Sequence, residues 1–367
     1  MVLARPGLPG VLEVPVKQKL KMIFNPKVLI PTLLSAALLA FILSVANSGT
    51  VIGEIETGVA TPASLIPAIF LVIIYLAAKL VQWKIYLARL QLRPGWKELI
   101  VPYAGGEIGN SLPMGVYIEN YLLKGELGSG IGRSAAATTW MLITEIIICL
   151  LTLLVIGVPG WPWVRPVAGG LMVGMLLVGL FFFKTPMVRA WVGKWEPRWR
   201  WLRPVRDGAK QFLEGSGELF SWHTFVYGLP LTAIYLGAYA TILYVVGNVV
   251  IAPQDQPWSW QQAAAAYAFS LVIVLLAPVL PHLGTVEASG LGVLLMFGIS
   301  RNLAVGSFLA LRLLATGAII LFCALALLLL HRQTGAVLRR LSGKGREQKP
   351  SKPDQNEQEQ SREAHAG

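Results

Sequence analysis

Long apolar runs, interrupted by short basic segments and by stretches rich in glycine and proline, set the pattern of this chain. The runs at 28–47, 65–88, 135–158, 164–183, 224–246 and 304–330 approach the roughly 20 residues that a helix needs to cross about 30 Å of hydrocarbon. They are continuous rather than alternating, which disfavours a β-barrel and predicts an all-α polytopic membrane protein. Composition agrees. The chain is 55% hydrophobic and 14% charged, against about 25% charged in soluble domains. The opening MVLARPGLPGVLEVPVKQKLKMIF lacks the apolar core and small-residue cleavage site of a signal peptide, so the first helix is expected to stay as an anchor. Cys149 and Cys323 fall inside apolar runs, where cysteine behaves as a small hydrophobe.

Charge then sets orientation. The net charge of +12 is concentrated between the apolar runs, which points to the positive-inside rule rather than to nucleic acid. Lys17, Lys19, Lys21 and Lys27 place residues 1–27 in the cytoplasm; Glu54 and Glu56, with no nearby base, place the next loop outside. The basic residues of 184–223 and those of 332–367 belong to the cytoplasmic side, so both termini are expected there, in the cell inner (plasma) membrane. The last stretch, KPSKPDQNEQEQSREAHAG, is polar, lacks aromatics and reads as disordered. A full crossing at 262–280 would put the basic tail outside. Residues 262–300 are therefore expected to enter and leave by one face, as a re-entrant hairpin with LPHLGTVEASG (280–290) as its tip. Such backbone is tolerated at membrane depth only inside protein or beside water.

An internal repeat gives the hairpin a partner. SLPMGVYIEN (111–120) and VLPHLGTVEA (279–288) both carry Leu-Pro with a glutamate six residues after the proline. Pro113 and Pro281 stand 168 positions apart, as do Glu119 and Glu287 and also Arg133 and Arg301. The counterpart hairpin is then 96–131. Segment 65–88 runs inward and 224–246 runs outward, so the expected architecture is an inverted repeat. It has about six spanning helices and two opposed re-entrant hairpins (first half 28–183, interfacial segment 184–223, second half 224–331), with the site near the midplane.

Candidate chemistry follows from polar groups within the oil. A charged side chain in the hydrocarbon costs about 2.5–3.5 kcal/mol on insertion scales, so each marks function by default. Glu145 and Arg312 lie mid-helix. They either bind a charged headgroup or lock the halves together, by pairing with each other or with Glu287. VPYAGGEIGNSLPMGVYIENYLLKG (101–125) adds Glu107 and Glu119 among glycines that permit close backbone approach; the plainer reading is a loop with an interfacial helix. His282 is a candidate proton carrier, or an incidental turn residue. RAWVGKWEPRWRWLRPVR (189–206) fits an interfacial helix held by indoles and by arginines on anionic headgroups. No HExxH, Walker A or GxGxxG motif and no metal-ligand spacing occurs, so neither cofactor nor metal is expected.

The stretch LPHLGTVEASGLGVLLMFGISRNLAVGSFLALRLL (280–314) resembles the second signature of the lysylphosphatidylglycerol synthase transmembrane region family, flippase-like integral membrane proteins. Its proline, glycines, glutamate, alanine and last-helix arginine fall on Pro281, Gly284, Glu287, Gly298, Ala304 and Arg312. The looser first signature fits either PYAGGE (102–107) or LPMGVYIEN (112–120). The arginine usual in the helix after it is absent, with Glu145 nearby. The resemblance covers about 30–330 and implies movement of lipids between leaflets. It implies aminoacyl-phospholipid, hopanoid-type or polyprenyl-linked substrates without choosing among them. Some members add an aminoacyl-transfer domain, which this chain's short polar tail does not supply, so synthase activity is not expected.

The leading expectation is a lipid transporter with Glu107, Glu119, Glu145, His282, Glu287 and Arg312 as candidate headgroup residues, and with the two hairpins meeting around Glu119, Glu287, Glu145 and Arg312. Membrane lipids are the expected partners, with anionic headgroups at the cytoplasmic face and with lipid- or glycan-biosynthesis enzymes as candidate protein partners. The alternatives are an intramembrane transferase acting on a lipid-linked substrate, with Glu287 or Glu119 as its carboxylate, and a non-catalytic accessory subunit.

Overall fold

The computed structural model describes residues 62–110, 117–127, 131–184, 188, 203–251, 257–276 and 282–330. The run at 28–47, most of the Trp/Arg segment 189–206, both hairpin turns and the polar tail lie outside the described residues. The described elements are helices: α1 (Pro62–Arg89), α2 (Trp96–Gly109), α3 (Ile118–Leu127), α4 (Ile131–Ile156), α5 (Val164–Gly179), α6 (Arg203–Leu219), α7 (Trp222–Val245), α8 (Trp260–Leu276), α9 (His282–Met296), α10 (Arg301–Leu311) and α11 (Gly317–Leu329). A π-helical turn, Arg312–Thr316, joins α10 to α11 in one continuous rod, and further π turns extend α5 and α7.

Among the described residues, five rods are long and apolar enough to cross a membrane: Leu65–Arg89, Ile131–Ile156, Val164–Phe182, Trp222–Asn248 and Arg301–Leu329. They coincide with the described apolar runs of the sequence. The other apolar pieces are too short. At 1.5 Å per residue, the 14 residues of α2 and 10 of α3 reach about 21 and 15 Å. The 17 residues of α8 and 15 of α9 reach about 25 and 22 Å. Each pair therefore packs as a helical hairpin. The glycine-rich 101–109 stretch is helical rather than a loop, and LPHLGTVEASG is mostly the first turns of α9 rather than a hairpin tip.

Local chemistry explains the stops. Gln91 adopts φ 61° after α1, and the Leu92 N–H reaches back to the Leu87 carbonyl at 2.9 Å, a left-handed helix end. Gly298 at φ 79° closes α9 in the same way, with Ile299 N–H on the Leu294 carbonyl at 3.1 Å. Glycine is favoured there because side chains strain at positive φ.

The two halves are related by inversion. Gln82 of α1 meets Gly228 and Thr232 of α7, whereas Tyr75 meets Tyr235 and Tyr239. Rising numbers on one helix pair with falling numbers on the other, so α1 and α7 are antiparallel. Each hairpin also docks on the rod that follows the hairpin of the opposite half, α2 on α11 and α8 on α4. Their bases lie at opposite ends. Trp96 sits beneath Lys84 near the C-terminal end of α1, whereas Gly160, just past the C-terminus of α4, lies beside Met296. Apolar side chains such as Ile66, Phe70, Leu177 and Leu328 face outward, as a bilayer-facing surface requires.

A buried polar knot holds the centre. The Gln82 amide nitrogen lies 3.1 Å from the Thr144 hydroxyl, 3.0 Å from that of Thr232 and 3.0 Å from that of Tyr86, its two N–H groups shared among them, and so ties α1 to α4 and α7. The approach is so close that any Cβ on Gly228 would run into the Tyr86 hydroxyl. Without water to compete, such bonds join helices that hydrophobicity alone would not. Replacing Gln82 with leucine is expected to destabilise the fold by about 1–3 kcal/mol, because it removes the amide that joins the three rods and leaves the polar groups around it under-bonded. Thermal unfolding of the detergent-solubilised protein measures this, and Gly228→Leu should be more damaging still.

Candidate functional site

Two buried charged centres occupy the interior. The first is a small, partly open polar cavity lined in part by Lys79, Glu107, Asn110, Glu119, Thr138 and Glu145. Four elements supply it. Lys79 comes from the middle of α1, Glu107 from α2, Glu119 from the first turn of α3, and Thr138 and Glu145 from one face of α4, two turns apart.

Each charge has a local reason to stay. Lys79 Nζ lies 2.9 Å from Glu107 Oε1 and donates to the Tyr75 hydroxyl at 3.0 Å. The ammonium and carboxylate side chains are only 11% and 5% exposed, so neither would be stable at this depth without the other. Thr138 accepts from the Asn120 amide at 2.9 Å and donates its hydroxyl proton to Glu119 Oε1 at 2.5 Å. The Tyr235 hydroxyl donates to Glu145 Oε1 at 2.9 Å. Gly106 brings α2 and α3 together, since a Cβ there would strike the Glu119 side chain. The Tyr103 hydroxyl donates to the Leu76 carbonyl at 3.1 Å and fixes α2 against α1. Among the described residues, no group of three His, Cys, Asp or Glu side chains is spaced to hold a metal ion. The carboxylates instead line the cavity separately.

The second centre is the Glu287–Arg312 pair between α9 and the π turn. Glu287 is 1% exposed and also accepts the Gly284 N–H at 2.6 Å. Gly284 stands at φ 88°, so the carboxylate caps the first turn of α9 while it holds the arginine. Glu287 and Glu119, equivalent in the repeat, thus play parallel parts. Each sits early in the returning hairpin helix and bonds the rod that follows.

The expected meeting of Glu119, Glu145, Glu287 and Arg312 at one point divides in two. Glu107, Glu119 and Glu145 share the cavity, whereas Glu287 and Arg312 form their own pair. Glu145 bonds Tyr235 on α7, and Arg312 takes Glu287, the carboxylate presented by the adjoining hairpin. His282 begins α9, and its side chain lies outside the described residues. Sequence reasoning passed over Lys79, Tyr75 and Gln82. Lys79 sits ten residues from Arg89 in a run that also holds Lys84, so it reads as part of a basic helix end. The available signal was its place mid-span with a tyrosine one turn earlier.

A polytopic all-α membrane protein with two opposed hairpins and a charged cavity in its first half is the class that fold and site define. The chain belongs to the family described as the Lysylphosphatidylglycerol synthase TM region, which matches residues 28–324. That match spans both hairpins, the cavity and the Glu287–Arg312 pair, and membership gives the chain a membrane lipid-related role. No curated protein matches the chain.

Removing one member of a buried ion pair strands the other, at about 3–5 kcal/mol, whereas replacing both with neutral groups is far milder. Lys79→Met and Glu107→Gln should each lower the unfolding temperature in detergent. The double variant should recover much of that loss, which a double-mutant cycle measures.

Proposed function

We propose that this protein carries a polar-headgroup lipid between membrane leaflets, with the headgroup in the Lys79/Glu107/Glu119/Glu145 cavity and the acyl or prenyl chains in the bilayer. The observation that carries this reading is the cavity itself. It offers fixed charges and hydroxyls among the spanning rods, where a headgroup stripped of water would otherwise find no partner. Aminoacyl-phospholipids, hopanoid-type lipids and polyprenyl-linked lipids are the substrate classes consistent with the family. Three carboxylates against one lysine favour, among these, headgroups that bring positive charge. The lipid is moved rather than altered.

The protein is read as resident in the cytoplasmic membrane with both termini inside. The amphipathic α6 would lie at that interface. Its Arg203, Lys210 and Glu214 are exposed while Gly215, Ser216 and Leu219 are buried, in part against α4. Arg133 at the start of α4 bonds Glu218 at 2.5 Å and pins α6 in place. Basic residues of the preceding segment would gather anionic headgroups there.

The test is reconstitution of the full chain in liposomes carrying headgroup-labelled lipids of anionic, zwitterionic, cationic and polyprenyl-linked types. Movement is read as loss of label to an impermeant quencher, and the recovered lipid is weighed by mass spectrometry. Protein-dependent movement of an unaltered lipid is expected. Glu145→Gln and Glu119→Gln should slow it at least roughly tenfold if each contributes about 1.4 kcal/mol to headgroup binding, with the protein still folded. Absence of movement for every lipid type would overturn the reading, and a change in lipid mass would favour an enzyme instead.

A further inference from the structure

Between the two charged centres stands a wall of four tyrosines. Tyr75 of α1 lies edge-on to Tyr235 and Tyr239 of α7, with ring centroids 5.7 and 5.5 Å apart. Tyr239 in turn stacks on Tyr267 of α8 at 4.8 Å and 16°. None of the four is more than 8% exposed. One side of the wall belongs to the cavity, since the Tyr75 hydroxyl accepts a hydrogen bond from Lys79 and Tyr235 donates one to Glu145. The other side belongs to the second centre. The Tyr239 and Thr316 hydroxyls meet at 3.4 Å, one turn from Arg312.

A permanently sealed core at this depth is best built from aliphatic side chains, because each buried hydroxyl needs a partner. Tyrosine suits a contact that opens. Its ring seals against neighbours, and its hydroxyl exchanges one partner for another, or for a passing headgroup, at little cost. The surroundings agree. Tyr239 touches the π turn Arg312–Thr316, and such turns mark functional positions in helices. The wall also joins the antiparallel rods α1 and α7 to hairpin helix α8, and so lies where the two halves would move against each other.

We infer that the Tyr239–Tyr267 stack, backed by Tyr75 and Tyr235, is the closed gate of the headgroup path, separating the carboxylate cavity from the Glu287–Arg312 pair. This rests on the reading of the cavity as a headgroup site. It adds that the pair lies on the far side of a movable barrier, as the station reached after the gate opens.

The chain carries its own reporter. Cys149 is one turn beyond Glu145 on α4, 1% exposed, and in the same buried cluster as Tyr267 of α8, which packs on α4. With Cys323→Ser in the full-length protein, a water-soluble trimethylammonium methanethiosulfonate reagent should leave Cys149 unmodified. Tyr239→Ala and Tyr267→Ala should speed its modification at least roughly tenfold, equivalent to opening the barrier by about 1.4 kcal/mol. Tyr239→Phe and Tyr267→Phe should stay near the parent rate, because the ring is kept. Trp83→Ala, an equally large deletion in the other hydrophobic cluster, should also stay near it. A second measurement leaves the tyrosines intact. Leu142→Cys, on the cavity wall, should react readily when both native cysteines are replaced by serine. The gate is overturned if Cys149 reacts as fast as Leu142→Cys in the presence of all four tyrosines. It is equally overturned if the alanine variants leave Cys149 protected, or if Trp83→Ala exposes it as much as they do. Labelling needs no lipid movement, so failure of the gate and failure of lipid transport give different results.

Discussion

An ammonium group buried among apolar helices has to be met by a counter-charge before the helices can close around it. In this protein that constraint falls on Lys79. Its carboxylate does not come from the same rod but from hairpin helix α2, and its second partner, Tyr75, is shared with the aromatic wall of α7 and α8. One ion pair thus decides where α2 docks, which face of α1 turns inward, and where the cavity opens. The second half meets the same constraint with Arg312, answered by Glu287 of α9. In each half, the charge on a spanning rod is the address to which a hairpin is delivered.

The halves share this plan and differ in charge. The Glu287–Arg312 pair is neutral in sum, whereas the first-half cavity holds three carboxylates and one lysine. Where the second half has an arginine on the rod after the hairpin, the first uses Thr138 and Asn120 to hold Glu119 and places its cation on the preceding rod. The absent arginine that sets the first-half signature apart is therefore no gap. The first half carries its positive charge on the rod before the hairpin instead of the rod after it, and the cavity lies between that charge and α4.

Much of this was legible in the residues. The spanning rods follow from apolar runs whose length is fixed by the bilayer, and the hairpins from charge parity together with two copies of a Leu-Pro stretch followed by glutamate. Both are long-range constraints that a single sequence records. Pairing between distant side chains is recorded less well. Glu107, Glu119 and Glu145 stood out as acids in oil, yet nothing in one dimension shows that Glu145 turns toward Tyr235 while Arg312 turns toward Glu287. Lys79 and Gln82 hid among basic neighbours at a helix end, because snorkelling and burial look alike until helix rotation is known. The tyrosines hid for a related reason. In an apolar run, tyrosine counts as one more aromatic, and its role appears only where rods from both halves cross.

The crossed docking of the hairpins carries a consequence for how the chain is made. Helix α2 rests on α11, more than two hundred residues later in the sequence, while α8 rests on α4, which precedes it. During synthesis the second hairpin finds its platform already made. The first can pair Glu107 with Lys79 of the rod before it, but its other side is covered only when the last rod arrives. Contacts of such sequence separation close late. The cavity, built from α1 to α4, can therefore form ahead of the second half, and the seam between α2 and α11 is the last to shut.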